Sequence, residues 1–135
     1  MTRRLLIAAV ALTGCADVFG LSERNQLDGP GGAYSVQLYN DGAVVLRNVR
    51  VTTGQDVPPL TKAELAPGEL TVVAGVPVLH EHPVVTATVD GRTATYQPIE
   101  GFAGFNAQLP SGRYVIKLRY VEQYRIVETR VETAP

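Results

Sequence analysis

Residues 84–97 read VVTATVDGRTATYQ, and this stretch decides the fold class. On both sides of Asp90-Gly91, apolar or alanine residues alternate with polar ones, which is the period of two expected of a half-buried β-strand. Asp-Gly between two such runs is a strong hairpin signal, because a type I′ turn needs two residues with positive φ. The stretch therefore predicts two antiparallel strands, Val84–Val89 and Arg92–Gln97, joined by a tight turn.

The same period occurs before and after this hairpin. Tyr34, Val36 and Leu38 alternate with polar residues, and the run from Val44 to Val51 is predicted to place Val45, Arg47, Val49 and Val51 on one side of a strand. Further strands are predicted at Glu69–Ala74, at Tyr114–Tyr120 and at Tyr124–Val131. Thr61-Lys62-Ala63-Glu64 instead matches a helix capping box and predicts one short helical turn before Pro67-Gly68.

Short strands separated by turn residues, with no long helix, indicate an all-β domain. We predict an antiparallel β-sandwich of about seven or eight strands, and a closed barrel is the alternative. The chain has a single cysteine, so no disulfide can form within the domain and its stability must come from apolar burial.

Three turn motifs resemble those of known β-sandwich families. Asn40-Asp41-Gly42 and Leu65-Ala66-Pro67-Gly68-Glu69 look like the strand entries of immunoglobulin-like or fibronectin-type adhesion modules. Leu109-Pro110-Ser111-Gly112-Arg113-Tyr114 resembles the start of a late strand in transthyretin-like and carboxypeptidase-regulatory-like domains. The resemblance implies an immunoglobulin-like sandwich, without the buried tryptophan and paired cysteines of antibody domains.

The N-terminus has the pattern of an export signal. Arg3 and Arg4 precede the apolar run Leu5–Leu12, which is well short of the ~20 residues needed to cross a bilayer. The following Leu12-Thr13-Gly14-Cys15 resembles the lipobox of bacterial lipoproteins. The resemblance implies removal of residues 1–14 and lipid attachment at Cys15, where two or three acyl chains would anchor the protein in the lipid bilayer.

This organisation predicts three segments: a signal peptide (1–14), a lipidated Cys15 with a flexible tether (15–32) and a β-sandwich domain (33–135). Residue 16 is Ala rather than the Asp that retains lipoproteins at the inner membrane in the best-known sorting system. We therefore expect a cell-envelope location in which the outer membrane is favoured over the plasma membrane.

The sequence offers few groups for catalysis. None of the three serines, Ser22, Ser35 and Ser111, lies in a Gly-x-Ser-x-Gly motif, and no glycine-rich phosphate loop is followed by a lysine. Without Arg3 and Arg4, 10 basic residues face 13 acidic ones, which does not favour nucleic acid as a partner. We expect a protein that is not an enzyme and has no cofactor besides the lipid on Cys15.

Two groups of residues are candidate sites. His80 and His82 are two positions apart, so on a strand they project to the same face and are candidate metal ligands, although no third ligand is evident. Aromatic residues are enriched at binding surfaces, and the candidates for binding are Tyr39, Tyr96, Phe102, Phe105 and Tyr124. Phe102 and Phe105 lie in a glycine-containing loop, where they either plug one end of the domain or are presented to a partner.

These features favour a non-catalytic binding or structural module for another envelope protein. One alternative is a carbohydrate- or peptidoglycan-binding module in which Tyr or Phe side chains stack on sugar rings. The other, less favoured, is a metal-dependent enzyme that uses His80 and His82.

The predicted lipidation is tested by intact mass. Protein from the native envelope should have the mass of residues 15–135 plus acyl chains, and Cys15→Ala should lack the acyl mass because the thiol that accepts lipid is gone. An unmodified mass for the wild-type protein would contradict the prediction.

Overall fold

The computed structural model describes residues 26–99 and 101–135, and within them the chain forms β-strands and no α-helix. The predicted all-β class is therefore confirmed. No helix in this part of the chain has the length and hydrophobicity that crossing a membrane requires. The strands, in chain order, are β1 (Tyr34–Asn40), β2 (Leu46–Thr52), β3 (Leu60–Leu65), β4 (Ala74–Val76), β5 (Val84–Val89), β6 (Arg92–Tyr96), β7 (Arg113–Val121) and β8 (Ile126–Thr133).

The eight strands form one curled, half-barrel sheet in the order β3-β2-β5-β6-β8-β7-β1-β4. Its two arms, β3-β2-β5-β6 and β8-β7-β1-β4, meet at a single parallel pair, Thr95 with Ile126. The core consists of apolar residues from both arms, among them Val36, Leu38, Leu46, Val51, Val85 and Ile116.

The prediction of a wholly antiparallel arrangement is wrong, because β1 runs parallel to β7. Six residue pairs join them, including Val36 with Tyr114 and Leu38 with Ile116. Parallel neighbours need a long connection, and the chain between β1 and β7 supplies it. The immunoglobulin-like subtype stays a prediction.

The hairpin prediction is confirmed. β5 and β6 pair antiparallel from Val85 with Tyr96 to Val89 with Arg92. Asp90 and Gly91 have φ values of 50° and 76°, as a type I′ turn requires. The predicted return of the last strand beside β7 is also confirmed, with eight antiparallel residue pairs between β7 and β8.

The predicted face of β2 is corrected by a β-bulge. Leu46, Val49 and Val51 are buried, whereas Arg47 is exposed. The pairing with β5 shifts register between Arg47 and Arg50, and Asn48 has a φ of 49°. One extra residue in the strand therefore changes the alternation and turns the polar positions outward.

The predicted helical turn at Thr61–Glu64 is wrong, because these residues lie within β3. Leu60 and Leu65 are fully buried and pair with Val51 and Leu46 of β2. Burying two leucines contributes roughly 3–6 kcal/mol, whereas a helix cap contributes about 0.5–2 kcal/mol. Packing therefore decides the conformation of this segment.

The chain enters the domain earlier than the first strand. Residues 1–25, with the predicted signal peptide, Cys15 and most of the predicted tether, lie outside the described residues. Of the remaining tether, Leu27 is only 5% exposed and Asp28 forms a β-bridge with Thr61.

Asn40, at the end of β1, joins the two arms. Its side chain is buried, and Nδ2 donates to the carbonyl oxygens of Val44 (2.8 Å) and Leu65 (2.9 Å). Its Oδ1 accepts from the amide of Gly42 at 3.0 Å. One amide therefore holds the turn that we predicted at residues 40–42 and connects β1 to the end of β3.

Replacing Asn40 should destabilise the domain. Asn40→Ala removes the donor to the carbonyl oxygens of Val44 and of the buried Leu65, which costs about 1–3 kcal/mol. Asn40→Asp keeps the acceptor for Gly42 but loses both donations, so it should be destabilised as well. The measurement is the midpoint of urea unfolding. The control is Gln123→Ala, which removes an exposed amide side chain and should leave the midpoint at the wild-type value. A wild-type midpoint for Asn40→Ala would contradict the role of this residue.

Candidate functional site

The predicted histidine and phenylalanine candidates come together at one end of the sheet. Because β5 and β6 are antiparallel, the residues before β5 and after β6 lie at the same end, where Val85 pairs with Tyr96. We call residues 80–82, 96–99 and 101–106 the end-loop cluster. It combines Tyr96, both predicted phenylalanines and both predicted histidines.

Asn106 holds the end-loop cluster together. Its side chain is buried, its Oδ1 accepts from the amide of His82 at 2.8 Å, and its Nδ2 donates to the carbonyl oxygens of His82 (2.8 Å) and Gly101 (2.7 Å). The two bonds to the His82 backbone resemble those between paired strands, and the third holds the loop at Gly101. Sequence reasoning missed Asn106, because a single asparagine in a loop gives no sign of such a partner.

His80 belongs to the same hydrogen-bond network. Its Nδ1 lies 2.7 Å from the carbonyl oxygen of Asn106, and a carbonyl only accepts, so Nδ1 carries the proton. The ring packs against Phe102, with centroids 5.1 Å apart. One imidazole nitrogen of His80 therefore has a structural role.

His82 is exposed, while His80 is half-buried. Within residues 26–99 and 101–135, no group of three or more His, Cys, Asp or Glu side chains is placed to hold a metal ion. The metal site on His80 and His82 thus stays a prediction that rests on the two histidines alone.

The two phenylalanines of the loop behave differently. Phe102 is half-buried against His80, whereas Phe105 is 93% exposed and Ile99 is fully exposed. Phe102 therefore lies against the end of the domain and Phe105 lies at the surface, and a binding role for either one stays a prediction. Ile99 was not a candidate, although its position between Pro98 and Glu100 in a loop is a usable signal.

A depression of about 570 Å³ lies beside these exposed side chains. Its lining is largely apolar and includes one of the predicted tyrosines and one of the predicted histidines. The lining residues are His82, Tyr96, Gln97, Pro98, Ile99, Ala103, Phe105 and Asn106.

Tyr39 and Tyr124 do not join this cluster. Tyr39 is half-buried on β1 and pairs with Lys117 of β7. Tyr124 is 64% exposed in the turn between β7 and β8, and the flanking Gln123 and Arg125 line a depression with Asp90. Since Asp90 is at the opposite end of β6 from Tyr96, Tyr124 cannot contact the same small ligand.

A second depression, of about 700 Å³, lies beside β2 and β3 and contains a buried ion pair. Lys62 Nζ lies 3.3 Å from Glu69 Oε2 and donates to the carbonyl oxygen of Glu64 at 2.8 Å. Glu69 Oε1 accepts from the amide of Ala66 at 2.8 Å. These bonds hold the chain that leads from β3 towards β4, which is a structural role.

Removing the Asn106 side chain should loosen the end-loop cluster. Asn106→Ala removes the donor to the carbonyl oxygens of His82 and Gly101 and the acceptor for the His82 amide, and should cost about 1–3 kcal/mol. The loss should appear as a lower urea midpoint and as faster exchange of the His82 and Gly101 amides. Gln97→Ala, which removes an exposed amide side chain of the same loop, should change neither. Unchanged exchange in Asn106→Ala would show that the loop is held by other contacts.

No protein-family model matches the chain, and no curated protein is similar to it in sequence. Among solved structures, the chain is similar to the NMR structure of a protein from Eubacterium rectale, with a TM-score of 0.51 and 16% sequence identity. The similarity covers 75% of this chain and 89% of that chain. At this identity the likeness concerns the fold alone.

Proposed function

We propose that this protein is an envelope lipoprotein that acts as a non-catalytic binding module for another envelope protein and uses the end-loop cluster as its contact surface. The observation that carries the proposal is the exposure of Ile99 and Phe105 on a loop that Asn106 holds in place. The lipobox-like Leu12-Thr13-Gly14-Cys15 supports the lipid anchor of the proposal, and Ala16 supports the outer membrane as its location.

Exposed apolar side chains of this size favour a protein partner. Transfer of Ile99 and Phe105 from water into an apolar interface would contribute roughly 1.5–3 kcal/mol each. The neighbouring depression can receive an apolar side chain of the partner. Residues that dominate the binding energy on one protein often contact such residues on the other protein in this way. Because hydrogen bonds already order the loop, less conformational entropy is lost on binding.

The polar groups of the cluster support a binding role over catalysis. His80 Nδ1, the Asn106 side chain and the backbone of His82 are all used to hold the loop. We propose that the domain belongs with the immunoglobulin-like modules, on the strength of its strand-entry motifs and its all-β architecture.

A second candidate is binding of peptidoglycan or another polysaccharide. Tyr96 and Phe105 line the same depression as His82 and Gln97. Aromatic faces beside hydrogen-bonding groups are suited to a sugar ring, whose CH groups pack on the aromatic face while its hydroxyls bond to polar groups.

Site-specific crosslinking in intact cells tests the protein-binding proposal. A photoreactive phenylalanine analogue at position 105 of the full-length protein should give one abundant adduct with a protein, because Phe105 would lie in the interface. Position 124 is the matched control, since Tyr124 is also an exposed aromatic but lies away from the cluster.

The adduct should disappear when Ile99→Asp is added, because burying a carboxylate in an apolar interface removes its water at a high cost in free energy. Equal adducts from positions 105 and 124, or none from either, would contradict protein binding by this surface. Retention on insoluble peptidoglycan that is lost in Phe105→Ala, without a protein adduct, would favour the polysaccharide instead.

A further inference from the structure

The two edges of the sheet are bridged by one short segment. β3 and β4 are the outermost strands in the sheet order, and residues 27–32 contact both of them. We call residues 27–32 the strap. It precedes β1 and includes the glycine-rich sequence Gly29-Pro30-Gly31-Gly32.

On the β3 side, the strap is held by a reciprocal pair of backbone hydrogen bonds. The Asp28 amide donates to the Thr61 carbonyl oxygen at 3.2 Å, and the Thr61 amide donates to the Asp28 carbonyl oxygen at 2.9 Å. The adjacent Leu27 side chain is buried and belongs to the hydrophobic core. The strap is therefore attached to the edge of β3 rather than lying loosely over it.

On the β4 side, the strap packs too closely for side chains. The Gly31 amide donates to the Gly75 carbonyl oxygen at 2.9 Å. A Cβ added to Gly32 would lie 2.3 Å from the carbonyl oxygen of Val76, and one added to Gly75 would lie 2.9 Å from the Gly32 nitrogen. Gly31 also has a φ of 86°, which favours glycine. The glycines of the strap are thus needed for contact with β4.

We propose that the strap is a releasable closure of the sheet. Among the described residues, it is held by the three backbone hydrogen bonds above, the close packing of Gly32 on Val76 and the buried side chain of Leu27. By comparison, β1 pairs with β7 through six residue pairs and also with β4. A segment held by few contacts opens in a local fluctuation while the rest of the domain stays folded. Opening exposes the outer edges of β3 and β4, which are surfaces for strand pairing.

The position of the strap in the chain links its opening to the membrane anchor. This link rests on the proposed function, because it requires the lipid anchor at Cys15 and a bound partner. The chain from Cys15 reaches the strap before it reaches β1. Among the described contacts, a pull on that chain therefore acts first on the buried Leu27 and on the hydrogen bonds of Asp28. Tension between the membrane and a bound partner would release the strap without unfolding the sheet.

Native-state hydrogen exchange of the purified full-length protein tests the closure. The amides of Asp28, Gly31 and Thr61 should exchange at least about tenfold faster than the hydrogen-bonded amides of β7, and low urea should affect them less, because local opening exposes little surface. Equal rates and equal urea dependence would show that the strap opens only by global unfolding, which overturns the proposal.

Two variants make the result specific to the strap. Gly75→Ala crowds the Gly32 backbone and should speed exchange at Gly31, whereas Gly112→Ala, whose Cβ would meet only ordinary contacts, should not.

The second variant combines Asp28→Cys with Thr61→Cys in a Cys15→Ala background. It should form a disulfide, since strand residues joined by such a reciprocal pair of hydrogen bonds have a Cα separation of about 5.5 Å.

The disulfide should slow exchange at Gly31 to the rate of the β7 amides, and reduction should restore the fast rate. No difference between the oxidised and reduced forms would overturn the proposal even if Gly75→Ala does not fold. The experiment needs neither lipid nor partner, so its failure is distinct from a failure of the proposed function.

Discussion

The parallel pairing of β1 with β7 is the interaction on which the rest of the structure depends. It joins the first strand of the domain to the β7–β8 hairpin, so the chain of the intervening strands leaves from β1 and returns beside it. Val36 and Leu38 of β1 are fully buried in the same core as Ile116 and Leu118 of β7. The pairing therefore joins backbone hydrogen bonding and apolar burial in one contact.

Buried asparagines connect segments that the sheet alone would leave apart. Asn40 links the end of β1 to Leu65 of β3, and Asn106 links the loop after β6 to the segment before β5. An amide suits both places because it donates and accepts at the same time, and chains that diverge expose both kinds of backbone group. With a single cysteine, the chain has no internal disulfide for this purpose.

The candidate site could be predicted only in part. Aromatic residues among glycines pointed to Phe102 and Phe105, and His80-Glu81-His82 drew attention to the neighbouring segment. Their meeting at one end of the sheet depends on the antiparallel pairing of β5 with β6, which the Asp90-Gly91 turn does predict. The structure places Phe102 against His80 and Phe105 at the surface, and no local pattern in the sequence distinguishes the two.

The sequence by itself determined the all-β class, most strand positions and the β5–β6 hairpin, because alternation and turn chemistry are properties of neighbouring residues. Only the tertiary structure decided the parallel pair, the bulge at Asn48 and the strand at Leu60–Leu65. It also showed that the glycines before Ala33 pack against β4. Each of these features depends on contacts between residues far apart in the chain, whose energy exceeds the local preference of the segment.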